Sequence, residues 1–310
     1  MKARVIKSTR NHYIVRTDSG EELTAVMRGK VVMNLPDDVS VKVGDFVDIS
    51  FEEGVAEATI EKIHPRTSML LRGKRYKNHI IATNIDQLLI LMSVKNPSFK
   101  QGLLDRYTII AEKNNLPAII VINKTDLGNP ERFHSLSEYY HTIGYPVYFT
   151  SVKKRTGIDV IQQLLLGKTT ALIGQSGVGK SSLIRCIQPD LNIRVGDINK
   201  KTSKGKHTTT FVQLFSLAGG GYVIDTPGIK ELGVGDILKK DLKHYFVEFD
   251  QYQQQCQFMD CNHISEPNCA VRKAVEDNRI FEPRYRSYVN IYNDLPAYDY
   301  EWEQGKVKPT

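Results

Sequence analysis

The sequence predicts a multidomain α/β protein, and three observations carry that expectation: short alternating strands to about Pro65, buried strands alternating with helices beyond it, and a Cys/His cluster in a helix-patterned C-terminal part. The corresponding division is a β-barrel over residues 1–66, an α/β domain over 67–235 and a helical metal-binding domain with a tail over 236–310. A chain of 310 residues, 41% hydrophobic and 25% charged, suits two or three domains better than one. No stretch approaches the roughly 18–20 uncharged apolar residues of a membrane span. The start, Met1-Lys2-Ala3-Arg4-Val5, runs into strand-like alternation and not into a secretion signal, so a cytoplasmic protein with no membrane partner is expected. The net charge of +7 suits a phosphate-rich partner without demanding one.

The barrel rests on five alternating segments: Ala3 to Lys7, His12 to Arg16, Glu22 to Arg28, Asp45 to Phe51 and Ala56 to Ile63. Their spacing does not separate an OB-fold from an SH3-like barrel. Both commonly bind nucleic acid on one face, and a barrel that only buttresses its neighbour is the alternative.

Arg66 to Lys77 reads as a basic connector, after which the pattern changes. Gln87 to Val94, Ala118 to Ile122, Val147 to Phe149, Thr170 to Ile173 and Gly221 to Ile224 are too short for helices and rich in β-branched residues, as strands buried on both faces are. Leu103 to Lys113, Pro130 to Thr142 and Ser181 to Ile187 are the helical segments between them, which implies a mostly parallel sheet. Beyond about Gly235 the strands stop, and the tail from Pro296 onward shows no periodicity.

Gly174-Gln175-Ser176-Gly177-Val178-Gly179-Lys180-Ser181 follows a strand and opens a helix, the setting of a phosphate-binding loop. Its glycines let backbone N–H groups curl around phosphates, Lys180 reaches the terminal phosphates, and Ser181, with Ser182 behind it, enters the site; the Ser181 hydroxyl is the candidate Mg²⁺ ligand. Asn123-Lys124-Thr125-Asp126 ends another strand. A carboxylate at Asp126 accepts two parallel hydrogen bonds from guanine N1–H and its exocyclic amine, which adenine does not offer, so GTP or GDP is expected and ATP is not. Asn123 can bond the other edge of the base, and the Lys124 stem can lie along its face. Ser151, Val152 and Lys153 form a loop after the next strand that is similar to the guanine-supporting loop of GTPases.

Asp225-Thr226-Pro227-Gly228 also ends a strand, placing Asp225 to hold the metal through water and the Gly228 N–H to touch the γ-phosphate. The basic segment Lys200 to Thr210 has the composition of a switch loop. Thr208, Thr209 and Thr210 each offer a hydroxyl to Mg²⁺, with Thr209 preferred. Ile229 follows Gly228 where small GTPases carry a glutamine, and it cannot orient water. His207 is therefore the candidate catalytic group beside Lys180, the alternative being that it contacts RNA or orders the loop.

The guanine loops precede the phosphate loop, the reverse of the ordinary order, so the domain reads as circularly permuted. A chain with these motifs, with Thr83-Asn84-Ile85-Asp86, Leu104-Asp105-Arg106-Tyr107 and Gly205-Lys206-His207-Thr208-Thr209-Thr210, and with the terminal Cys/His cluster, resembles the RsgA (YjeQ/YloQ) family over nearly its whole length. That resemblance implies an N-terminal OB-fold, a circularly permuted GTPase and a C-terminal zinc domain. It also implies a late role in maturation of the small ribosomal subunit, with GTP-gated binding to the subunit and its rRNA and turnover stimulated by it. A monomer is expected. The rival reading is an RNA-binding scaffold whose nucleotide site only tunes affinity.

Cys256-x4-Cys261-x-His263-x5-Cys269 supplies three thiolates and one imidazole, the closed set of one structural Zn²⁺ with no open position for a substrate. Cys186 is left over and is expected in the core. Arg272, Lys273, Arg279, Arg284, Tyr285, Arg286 and Tyr288 interleave charge and rings as an RNA-contacting surface or a solvated helix does.

Overall fold

A computed structural model describes residues 1–9, 12–27, 40–52, 54, 56–74, 77–191, 212–225 and 234–296. The five N-terminal strands are β1 (Lys2–Ser8), β2 (Tyr13–Thr17), β3 (Glu22–Met27), β4 (Phe46–Ser50) and β5 (Ala58–Ile63). They close in the order β1-β2-β3-β5-β4-β1, antiparallel except where β3 runs parallel to β5. That order is OB-like, and it settles the choice that strand spacing left open. Val5, Val15, Ala25, Val47, Ile49, Ala58 and Ile60 alternate along their strands and fill the interior.

The expected basic connector is instead a hairpin of β6 (Met69–Lys74) and β7 (Lys77–Thr83). Leu70 and Ala82 pair across it and are buried in the main core, a two-residue signal that the surrounding cations mask in the sequence. Between barrel and sheet, Arg66 donates Nε and Nη2 to the Asp45 carboxylate at 2.8 Å each, and Thr83 Oγ1 donates to the same group at 2.7 Å. Asn84 Nδ2 donates to Gly44 O at 3.0 Å, while Asp86 Oδ2 accepts from the Thr169 N–H at 2.6 Å. The Thr83-Asn84-Ile85-Asp86 motif is thus the joint between the two parts.

The central sheet has β8 (Gln87–Ser93), β9 (Ala118–Asn123), β10 (Val147–Phe149), β11 (Thr169–Ile173) and β13 (Tyr222–Asp225) all parallel, in the order β10-β9-β8-β11-β13. A strand missed in the sequence, β12 (Gln213–Ser216), lies antiparallel to β13 and borders β1 on its other side. Side chains alternate along the buried strands and so feed two layers. Leu88, Ile90, Ile120 and Ile122 meet Leu104, Tyr107 and Ile110 of α1 (Gln101–Lys113) and Leu136 and Tyr140 of α2 (His134–Thr142). Leu89, Leu91, Val121 and Leu172 meet Ile158, Ile161 and Leu165 of α3 (Ile158–Leu165), a helix also missed, and Leu183 and Ile184 of α4 (Lys180–Ile187). Cys186 is half-buried against this second layer.

The C-terminal part is built of 3-10 turns at Lys239–Tyr245, Val247–Gln251 and Gln253–Gln255, then α5 (Ala270–Glu276) and α6 (Glu282–Asp294). Its core of Leu242, Phe246, Phe249, Tyr288 and Ile291 takes in Ile109 from α1. Among the described residues, no helix is long and apolar enough to cross a membrane.

One side chain in α6 corrects the expected RNA-facing set. Arg284 is 0% exposed and joins this part to the central α/β domain. Its Nε and Nη2 donate to Glu248 at 2.6 and 3.2 Å, and its Nη1 donates to Asp105 Oδ1 at 2.9 Å and Thr108 Oγ1 at 3.0 Å. The Tyr140 hydroxyl also donates to Asp105, and Phe246 lies against the guanidinium at 4.8 Å. Burial pushes the Asp105 carboxyl up, against the pull of Arg284. Tyr288 is buried too, whereas Lys273, Arg279 and Arg286 are exposed. Breaking a buried pair costs far more than forming it gains, because two carboxylates lose their cation at once. Arg284→Met is therefore expected to lower stability by about 3–5 kcal/mol, measured as a drop in the denaturant midpoint. Arg286→Ala, whose ion pair with Glu282 is exposed, is expected to change it by under about 1 kcal/mol.

Candidate nucleotide and metal sites

The carboxyl ends of the parallel strands bring the separate motifs to one edge of the sheet, where ligands bind in open α/β folds. The Gly174 loop follows β11, the Asn123 loop follows β9 and the Ser151 loop follows β10. Asp225 closes β13 beside Leu172 of β11.

Two glycines are required by this packing. Gly174 has φ +151°, and a Cβ there would lie 2.2 Å from the Leu91 carbonyl oxygen; Gly179 has φ +105°, and its Cβ would lie 2.5 Å from Asn123 Nδ2. Immediately after Gly179 the chain enters α4, so the loop's N–H groups and the helix N-terminus share one concavity. Lys180 Nζ folds over the loop, donating to Gly174 O at 2.7 Å and Gln175 O at 3.3 Å. Ser181 and Ser182 stand in the first turn, half-buried and exposed.

Asn123 is buried, with both ends of its amide engaged: Nδ2 donates to Val178 O at 2.9 Å, and Oδ1 accepts from Thr150 Oγ1 at 3.1 Å. The residue expected to touch the base thus also braces all three loops, and Oδ1 keeps a second lone pair for a ligand. Lys124 adopts the left-handed conformation at φ 62° and lays its stem across the site, Nζ donating to Gly177 O at 2.7 Å and to Asn96 O. Asp126 accepts from Ser151 Oγ at 2.5 Å, a bond that holds its carboxyl below the usual carboxylate range. Ser151 is fixed in turn by backbone bonds with Thr156 at 3.0 and 3.1 Å, while Val152 is half-buried and Lys153 exposed. His207, Thr208, Thr209, Gly228 and the side chain of Asp225 lie outside the described residues.

In the C-terminal part, one ligand atom from each of Cys256, Cys261, His263 and Cys269 lies within 4.8 Å of the others. Cys256 and Cys269 Sγ are 3.9 Å apart, and His263 Nδ1 is 3.6 and 3.4 Å from them. A tetrahedral zinc with sulfur at ~2.3 Å spaces its sulfurs by ~3.8 Å, so the cluster fits a zinc site. Backbone N–H groups of Ala270 and Arg272 point at the Cys256 and Cys269 sulfurs at 3.4 and 3.5 Å. Burial, with Lys243 nearby, takes His263 down to about 4, keeping a neutral ring with a lone pair to give. Tyr285 and Tyr288 of α6 donate to His263 O at 2.7 Å and Asn262 O at 2.5 Å and anchor the loop.

A glycine-rich phosphate loop braced against an Asn-Lys-Thr-Asp loop, with the guanine loops first in the chain, defines a circularly permuted P-loop GTPase. The family model described as RsgA GTPase matches residues 63–235. The chain is 37% identical to the small ribosomal subunit biogenesis GTPase RsgA of Phocaeicola vulgatus, covering 99% of each, and 38% identical to that of Thermotoga maritima, covering 90% of each. Its fold is similar to the crystal structure of YjeQ from Thermotoga maritima, with TM-score 0.79 and 36% identity over 95% of this chain and 98% of that one. It is also similar to YloQ, described as a circularly permuted GTPase, with TM-score 0.73 and 30% identity over 99% and 96%. The chain belongs to the RsgA GTPase family.

Gly179→Ala combines a strained φ with a collision on Asn123, and strain of this kind costs about 1–3 kcal/mol. It is expected to weaken GDP binding by about tenfold or more, titrated with a fluorescent GDP derivative. A depressed carboxyl stays ionised to lower pH, so GDP affinity in the wild type is retained until pH falls through that lowered value. Ser151→Ala removes the largest cause of the depression. The acid limb of GDP affinity is then expected to move to higher pH, read from the same titration repeated across pH.

Proposed function

We propose that this chain hydrolyses GTP as a late maturation factor of the small ribosomal subunit. The GTP-bound form binds the subunit and its rRNA, the subunit stimulates turnover, and hydrolysis releases the protein. The observation that carries the nucleotide reading is the Asp126 carboxylate, held ionised by Ser151 and tied through Asn123 and Thr150 to the phosphate loop. The relatives named as small ribosomal subunit biogenesis GTPases support the partner.

Asp126 selects guanine, and Asn123, Lys124, Ser151, Val152 and Lys153 hold the base. Gly174 to Gly179 donate backbone N–H groups to the phosphates, and Lys180 moves its ammonium from Gly174 O to the terminal phosphates. Mg²⁺ arriving with GTP supplies charge neutralisation at the β- and γ-phosphates; Ser181, Thr209 and Asp225 would hold it. His207 orients the attacking water, the task Ile229 cannot perform, and Thr208 and Gly228 border the γ-phosphate. The reading divides the chain into a barrel over residues 1–66, a GTPase domain over 67–235 and a zinc domain over 236–310. One structural Zn²⁺ on Cys256, Cys261, His263 and Cys269 ties the last domain together, and the protein acts as a cytoplasmic monomer.

Phosphate release from GTP and from ATP, with and without purified small subunits at fixed salt, tests this reading. GTP-selective release that rises at least about tenfold with subunits, and loses that rise in His207→Ala while GDP affinity holds, is the expected result. Equal use of ATP, or no response to subunits, would overturn it.

A further inference from the structure

The first strand of the barrel is also a strand of the GTPase sheet. Its N-terminal half closes the barrel on β4, pairing Arg4 with Phe46, whereas its C-terminal half pairs Lys7 with Gln213 of β12. An irregularity in the β1–β2 ladder between Val5 and Lys7 lets the strand turn from one partner to the other. Gln213 is in turn opposite Asp225 of β13, and Asp225 is beside Leu172 of β11. One rung therefore runs Lys7, Gln213, Asp225, Leu172, from the barrel to the phosphate-loop strand. In sequence, β12 follows the basic switch segment directly, and β13 ends where the Asp225 to Gly228 segment begins.

Arg4 locks this seam. It is buried, and its guanidinium lies between two rings, 4.8 Å from the centre of Phe46 in the barrel and 4.7 Å from the centre of Tyr222 at the start of β13. Its Nη2 donates to Asn84 O at 2.9 Å and its Nε to Gly44 O at 3.4 Å, both at the joint. Ile6 and Leu214 pack in the same core beside Tyr222, so the β12–β13 hairpin is gripped by barrel residues on its outer side. In contrast, the base loop and the phosphate loop follow β9, β10 and β11, none of which pairs with a barrel strand.

We infer that Arg4 is a positioning residue for the γ-phosphate end of the site: it fixes the β12–β13 hairpin, and with it Asp225, against the barrel. The inference rests on the nucleotide reading above and deepens it. Because coupling is reciprocal, a ligand that shifts the barrel's grip on β12 changes the affinity for GTP relative to GDP, and the nucleotide state changes the barrel's affinity for that ligand.

The test is made on the full chain with Arg4→Ala, Arg4→Lys and Tyr222→Leu, titrating GDP and guanosine 5′-(β,γ-imido)triphosphate in the presence of Mg²⁺. Arg4→Ala and Tyr222→Leu are expected to weaken the imido-triphosphate by about tenfold while GDP stays within about twofold, and Arg4→Lys to recover most of the difference. If Arg4→Ala does not fold, Tyr222→Leu gives the same reading without emptying the seam. A merely structural role would weaken both nucleotides in parallel, and that result, or no change in either, overturns the inference alone. A wild-type chain that binds neither nucleotide overturns the proposed function and this inference with it.

Discussion

Three loops from three different strands meet on the side chain of Asn123, and the nucleotide site depends on that meeting. Its amide donates to the phosphate loop at Val178 O and accepts from Thr150 in the base loop. Both contacts are buried, where an unpaired amide group costs about 1–3 kcal/mol, so the two loops are held at a fixed separation. Gly179 must lack a side chain because Asn123 occupies that space. Permutation alters the order in which these parts are made but not the sheet that gathers them. β9 and β11 flank β8 in parallel register, and each delivers its loop to the same edge. A circular permutation needs only that the original termini lie close together at the surface.

Different interactions attach the two flanking parts. The barrel shares backbone: β1 continues the GTPase sheet through β12, and the joint at Thr83 to Asp86 seals the corner with side-chain bonds to Asp45 and Gly44. The C-terminal part is attached by side chains, through Arg284 between Glu248 and Asp105 and through Lys113 of α1 paired with Asp236. Asp236 stands just beyond Asp225 to Gly228 in the chain, which therefore runs from the end of β13 to a side-chain tie with α1. The barrel thus meets the central sheet at β12, and the C-terminal part meets it through α1.

The family and its fold were legible in the sequence because the motifs follow buried strands in a recognisable order. The glycines around Lys180 and the Cys/His spacing stand out by themselves, the Asn123 to Asp126 loop stands out beside the phosphate loop, and the continuous apolar runs of β8, β9 and β11 announce strands buried on both faces. What escaped depends on contacts distant in the chain. The strand β12 is short and half-polar and becomes a strand only because β13 and β1 border it. Arg284 reads as a surface cation on a helix of alternating charge and rings. Its burial is set by Asp105, 179 positions away, and no local pattern reveals that pairing. The hairpin of β6 and β7 was hidden by its cations, since among its described residues Leu70 and Ala82 enter the core and Ile81 packs against it.

The central claim is that a chain with its motifs in rotated order builds one guanine-specific site around Asp126. Its most direct measurement is the affinity of Asp126→Asn for GDP and for xanthosine diphosphate. Xanthine carries a carbonyl where guanine carries the exocyclic amine, so the asparagine amide can donate to it where the carboxylate can only accept. The account predicts that the variant loses GDP and gains xanthosine diphosphate, exchanging the preference of the wild type. Retention of GDP binding by Asp126→Asn, with no gain for the xanthine nucleotide, would contradict it.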